Sequence, residues 1–322
     1  MAHEIENEMF AYVGQPAWHG IGQECPVGAD AKYLFMAAKL DWEVAKSPIW
    51  AKAADGTLIP VDGKNATLRS TDNKVMTICS DAWEPVQNSD VAAFMQQYAD
   101  AGKATMECAG ALRDGQIIWG LANLNHNFEI RPGDVTKSYL AMTSSHQVGV
   151  ATKIRVTTTR IVCQNTMNIA ERNSQAIYKQ NHLGMFDFEA AKRAVAEAHE
   201  LLSLQEKRLT QIDKLKLSIE DACLKVLIPA FAEDLMELSE LEQREVIVSS
   251  QKMPKVLANI ITSIYDAPGA IPDTGYGILQ GITHFTTHVA GTSQSNRMYN
   301  TLVGNIGEKV KHAESLLLAL TA

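Results

Sequence analysis

Apolar and polar positions alternate at two different periods along this chain, and the change of period divides it. From Asp30 to Leu40, Ala31, Leu34, Phe35, Ala38 and Leu40 share one helical face, with Asp30 placed to cap the first turn. Trp42–Lys46 and Thr57–Val61 read as strands across an Asp55-Gly56 turn. Asn65–Ser70 and Val75–Cys79 read as a second hairpin across residues 71–74. After Pro85, Asn88 or Ser89 is placed to cap a helix to about Ala101, with Val91, Phe94, Met95 and Tyr98 on one face and Gly102 ending it. Thr105–Leu112 and Gln116–Leu124 form a third hairpin across Arg113-Asp114-Gly115.

From Lys137 the residues are mostly Ser, Thr and β-branched up to Cys163, predicting two strands joined through His146–Gly149. A helix Met167–Ile177 should follow, capped by Asn165 or Thr166. Residues 1–28 are loop-like, punctuated by Gly14, Pro16, Gly20, Gly22, Pro26 and Gly28, and Trp18 should pin this arm to a neighbouring surface.

Beyond Lys179 helical period takes over. Asp187–Ile212 reads as one long amphipathic helix. Ser218-Ile219-Glu220-Asp221 and Ser239-Glu240-Leu241-Glu242 resemble capping boxes. Val256–Ile264, Thr274–Val289 and Gly307–Leu320 follow as helices, with a Pro-Gly break between Asp266 and Pro272. The expected fold class is α+β: an antiparallel sheet with packed helices, followed by an α-helical C-terminal lobe. The expected domains are an arm over 1–28, a sheet domain over 29–180 and a helical lobe over 181–322.

Composition narrows the function. The chain has 322 residues, 46% of them hydrophobic, enough for one large core or two ordinary ones. No apolar run reaches the length of a membrane span, and the acidic N-terminus lacks a signal-peptide core. Five scattered cysteines argue against a disulfide framework and for a reducing cytoplasm. No dinucleotide or Walker phosphate loop, G-x-S-x-G or S-x-x-K occurs, so no cofactor and no enzymatic role are expected.

Against a net charge of −8, the stretch between Asp134 and Glu171 holds no carboxylate. Residues 137–180 carry six cations and a single acid, Glu171. Lys153 and Arg155, two apart, share a strand face continued by Thr157 and Thr159. Cations and hydroxyls on one face suit phosphate contacts without base readout. The candidate nucleic-acid contacts are therefore Lys153, Arg155 and Arg160, flanked by Lys137 and His146, with Asn165 at a helix start where free backbone N–H groups favour anions. Arg69 and Lys74 are second-line candidates. The same cations could instead pair with acidic helices of the second lobe. Tyr139 and Trp119 are either base-stacking platforms or core. His284 and His288 have metal-ligand spacing, but Phe285 stands where a zinc peptidase needs Glu, and no third ligand follows; no metal is expected. Cys163, near Arg160 and a helix start, is either a low-pKa thiol or a buried one.

Several segments resemble a family usually called phage/plasmid-like proteins, which carry a domain of unknown function. They are MAHEIE…AYVGQPAWHGIG at the start, Leu40–Val44 (LDWEV), Glu84–Asn88 (EPVQN), Arg160–Thr166 (RIVCQNT) and Tyr276–Thr283 (YGILQGIT) followed by Arg297. Gly281 and His284 depart from the pattern. The helix–three strands–helix order over 30–101 is also similar, in topology alone, to ring-forming single-strand annealing proteins. That likeness implies binding of single-stranded DNA by a homo-oligomer, with annealing of complementary strands in recombination. The rival expectation is a protein-binding module, a host-factor inhibitor or assembly protein, using the acidic helices (Glu233, Asp234, Glu237, Glu240, Glu242).

Overall fold

The computed structural model describes residues 9–14, 22–160, 176–196, 198–249, 251–267, 269–291 and 306–322. The fold is α+β. Strands β1 (Phe10–Val13) and β2 (Gln23–Cys25) precede helix α1 (Ala31–Ala37). Then come β3 (Val44–Lys52), β4 (Leu58–Arg69), β5 (Val75–Ser80), α2 (Asn88–Asp100), β6 (Thr105–Leu112), β7 (Ile117–Glu129), β8 (Val135–Ser145), β9 (Thr152–Arg160) and β10 (Ala176–Gln180). One seven-stranded sheet has the order β10-β9-β8-β7-β6-β1-β2, and a three-stranded sheet the order β3-β4-β5. The chain divides into two compact units. Unit 1 is Met1–His126, Ser138–Val156 and Gln175–Ala198; unit 2 is Asn127–Lys137, Thr157–Ser174 and His199–Ala322.

In unit 1, α1 starts where Asp30 accepts from the Tyr33 amide at 2.6 Å and buries Leu34 and Phe35. Helix α2 buries Val91, Phe94, Met95 and Tyr98, as the spacing predicts. Its cap differs from expectation. Gln87 is the N-cap, in a capping box with Asp90, because Asn88 turns inward.

Residues 1–28 are not all loop. Tyr12 pairs with Cys108 and, in parallel, with Glu24, so β1 lies inside the large sheet with Phe10 and Ala11 buried. Thr57–Val61 and Asn65–Arg69, read as separate strands, are one strand. β4 runs through both, and a bulge lies where β3 pairs with it, between Pro48 and Trp50. Residues Leu58–Lys64 of β4 are exposed without alternation, so the distal β3–β4 hairpin is an arm with both faces in solvent. Ala176 and Ile177, expected at a helix end, belong to β10. The expected cap at Asn165 and helix start at Met167 lie outside the described residues, as do Trp18 and Cys163.

The segment expected as one helix over 187–212 holds two described helices, α3 (Phe188–Ala196) in unit 1 and α4 (Ala198–Lys214), which from His199 onward belongs to unit 2. α5 (Ile219–Ala222), capped by Ser218, passes through a π turn (Cys223–Leu227) into α6 (Ile228–Phe231). After α7 (Glu240–Val248), opened by the predicted Ser239/Glu242 capping box, come α8 (Lys255–Asp266) and α9 (Gly275–His284). A π turn (Phe285–Val289) and α10 (Ile306–Ala319) complete the described helices. Their core is one cluster that includes Leu209, Val226, Ile260, Ile264, Ile278, Ile282 and Leu317.

Gly281, part of YGILQGIT, has a steric role here. A Cβ there would strike the Ile264 side chain and backbone, so α9 crosses α8 in backbone contact. Gly281→Ala should therefore lower the unfolding free energy by about 1–3 kcal/mol, the cost of overpacking. An Ala variant as stable as the parent in urea melts would mean that α8 and α9 can separate without loss.

Candidate functional site

Three polar assemblies in unit 1 hold most of the candidate residues that the structure describes. The first is organised by Asn88. Its Nδ2 donates to the Leu40 carbonyl at 3.0 Å and the Trp42 carbonyl at 3.2 Å. Because both amide hydrogens are used, Oδ1 is the acceptor for His146 Nε2 at 2.9 Å. His146 is thus the Nε2–H tautomer, and among the described residues its buried Nδ1 has no partner. Gln87 adds a second clamp: its Oε1 accepts from Val44 N at 2.9 Å and its Nε2 donates to Val44 O at 3.0 Å. The two side-chain amides thereby tie EPVQN to LDWEV by copying backbone pairing. The loop after β8 is fixed the same way, with His146 N on Gln116 O at 2.8 Å and Ser145 Oγ on the same carbonyl at 3.1 Å.

His146 is 0% exposed. It cannot flank a phosphate, which corrects the sequence expectation. Burial, and then the neighbouring His182, hold its pKa down to about 3. His182 is itself lowered by burial; its Nδ1 meets Glu84 O at 3.0 Å and its ring stacks on Trp83 at 4.9 Å.

The second assembly uses Arg69 and Lys74. Arg69 grips Asp72 through Nε at 2.9 Å and Nη2 at 2.6 Å, and Asp114 through Nη1 at 3.1 Å. Lys74 pairs with the same Asp114. The hydrogen bond from Arg69 takes Asp72 down to about 2. Burial alone would raise Asp114, but Lys74 and Arg69 outweigh it and lower the group. Arg69 also lies over the Trp42 ring at 5.5 Å. Gly115 makes room for this stack: its φ is +83°, and a Cβ would come within 2.8 Å of Trp42. Both cations are committed to two hairpin turns, so Arg69 and Lys74 are not nucleic-acid contacts. Trp119 and Tyr139, 1% and 2% exposed, are core and not stacking platforms.

The third assembly is on β9 and β10. Thr152, Ile154 and Val156 are buried while Lys153 and Arg155 are half-buried, so the two cations share a face as predicted. Lys179 of β10, exposed, is the antiparallel partner of Lys153, and Arg155 is opposite Ala176. Like charges directly opposite one another project from the same sheet face and repel. Sequence analysis counted Lys179 but did not place it; the pairing of β10 with β9 does. Lys137 is half-buried on β8, in the part that belongs to unit 2. Arg160 is the last residue of β9; its side chain, and Asn165, lie outside the described residues.

Other chemistry is limited. His284 and His288 rings are 4.6 Å apart, but no group of three metal-ligating side chains occurs among the described residues. Cys25, Cys79, Cys108 and Cys223 are buried free thiols. Burial pushes Cys108 well up and Cys223 to about 11, the opposite of an activated nucleophile. No described helix is long and apolar enough to cross a membrane.

An α+β chain with an amide-centred polar hub and a cationic strand pair is the class that these features define. Residues 75–305 match the family model described as Domain of unknown function (DUF932), and the chain belongs to that family. The matched span takes in Asn88, His146 and β9–β10 and leaves out β3 and β4. No curated protein and no solved structure matches the chain.

His146, held down to about 3 by burial, is neutral in the fold above that pH and protonates near the ordinary histidine value once the fold opens. The unfolded chain therefore binds more protons below pH 6.5, and stability should fall as pH drops from 6.5 to 4.5, by up to about 1.4 kcal/mol per pH unit for His146. His146→Gln should lower stability at pH 7 but flatten that slope. An unchanged slope in urea melts across this range would refute the assignment.

Proposed function

We propose that this protein binds single-stranded DNA in the cytoplasm along the outer face of β9 and β10, and promotes annealing of complementary strands as a homo-oligomer. A phage or plasmid origin fits the motif resemblance. The observation that carries the reading is Lys153 facing Lys179, with Arg155 two residues along the same face. Two ammonium groups directly across a strand pair are destabilising by themselves, and a shared phosphate reverses the sign of that interaction. Neighbouring β-branched residues set the cations at the two-residue repeat of a strand, about 6.6–6.8 Å. That is within the reach of successive phosphates on an extended single strand. Nothing in this geometry reads bases, so the binding is sequence-tolerant and salt-sensitive.

A second reading has its own support. The distal β3–β4 arm exposes Trp50 (56%), Leu58 (60%) and Ile59 (50%) on a strand pair that protrudes without cover. A two-stranded ribbon of this kind is marginal alone, and an apolar patch on it suits a protein contact. This favours a protein-binding module, with no nucleic-acid role required.

Fluorescence anisotropy with a labelled oligonucleotide separates the two. Affinity should fall steeply between 50 and 200 mM salt. K153Q/K179Q should weaken binding at least tenfold and cut the log–log salt slope by about 1.4, two phosphate contacts at roughly 0.7 each. Absence of binding at low salt, or a double variant indistinguishable from the parent, would remove the DNA reading and leave the arm as the functional surface.

A further inference from the structure

Helices α2 and α3 enclose a cleft that neither reading uses. It has a volume of about 420 Å³, within the range of small-molecule sites. Phe94 and Tyr98 line it from α2, Lys192 and Ala196 from α3, and Ala101 and Lys103 from the turn after α2. Its floor is rigid. Phe94 meets Phe186 edge-on at 5.9 Å, Phe186 meets Phe188 at 4.9 Å, and Phe94 lies 6.4 Å from Phe188. A floor fixed by interlocked rings is pre-formed, so an apolar guest need not order it.

The rim is cationic. Lys103 Nζ is 6.0 Å from the Tyr98 ring centroid, resting over a π face. Lys192 holds Glu189 at 3.0 Å in an exposed i,i+3 pair. Such pairs contribute less than about 1 kcal/mol and exchange readily for a better anion. The one acid at the cleft, Asp100, already accepts from Gln96 Nε2 at 2.6 Å. Ala101 and Ala196, both small, lie on its lining.

We propose that this cleft is a binding site for a small aromatic monoanion. The flat body rests on Phe94 and Tyr98, and the carboxylate or sulfonate is taken by Lys103 and Lys192. Charge complementarity fixes the sign of the ligand, and the apolar floor excludes inorganic anions as the natural occupant.

The probe is 8-anilinonaphthalene-1-sulfonate, titrated into the full chain and followed by fluorescence. One saturable site is expected, with displacement by 2-naphthoate but not by neutral 2-naphthalenemethanol, nor by phosphate at matched ionic strength. K103Q/K192Q, both exposed and so compatible with folding, should weaken the probe about tenfold, the combined effect of two rim charges. Ala196→Phe should abolish the site while leaving oligonucleotide binding intact. Overturning results are no saturable binding up to millimolar probe, displacement by phosphate alone, or equal affinity in K103Q/K192Q and the parent.

Discussion

One primary amide, Asn88, sets the geometry of unit 1. It supplies two donors and one acceptor, and all three are used inside the protein, on Leu40, Trp42 and His146. The carbonyls of Leu40 and Trp42 leave α1 without joining the β3 ladder. A carbonyl buried there without a donor would cost on the order of 1–3 kcal/mol. Asn88 provides that donor from the first residue of α2, so the segment between α1 and β3 is held against the N-terminus of α2. Gln87 repeats the device one residue earlier on Val44. Two neighbouring amides thus replace a stretch of sheet pairing.

From this clamp the neighbouring assemblies follow. Trp42 is fixed by its carbonyl, and its ring then meets His146 at 5.1 Å on one side and Arg69 at 5.5 Å on the other. Arg69, once over Trp42, reaches Asp72 in its own hairpin turn and Asp114 in the β6–β7 turn. Three segments distant in sequence are cross-linked through one indole ring. Of these linked groups only Arg69, Lys74, Asp72 and Asp114 carry charge, two cations against two carboxylates. Burial is tolerable there because the carboxylates match the cations in number and geometry.

Elements governed by local chemistry were legible in the sequence. Asp30 as a cap, the Ser239 box, the Thr105–Leu112 strand and the apolar face of α2 all follow from residues within a few positions of one another. What the sequence concealed depends on distant partners. β1 is a strand because Ala109 and its neighbours on β6 accept it, about a hundred residues away; its own Gly-punctuated surroundings read as loop. β10 is a strand because β9 provides an edge. Asn88 has the side chain of a helix cap and sits at the position of one, yet its amide is taken by two carbonyls of another segment, and the cap passes to Gln87. The same limit applies to charge. A count of cations over 137–180 locates a positive segment, but pairing decides which cations serve structure. Nothing near Arg69 and Lys74 in sequence shows that Asp114, across a distant hairpin turn, pairs with both.

This sorting bears on what the strand pair can be for. In the Arg69 assembly each cation has a carboxylate within salt-bridge distance, and the arrangement stabilises two turns. On β9–β10 the register sets Lys153 opposite Lys179, in a stretch with no Asp or Glu between Asp134 and Glu171. A fold that tolerates such repulsion at its sheet edge gives up some stability there, since replacing either lysine by a neutral residue would remove it without touching the buried face of Thr152, Ile154 and Val156. Under the proposed reading, an anion bound from outside would offset this like-charge pairing. An extended polyphosphate backbone meets the spacing and sign of these groups, and its neutralising effect is largest where two cations oppose each other at close range.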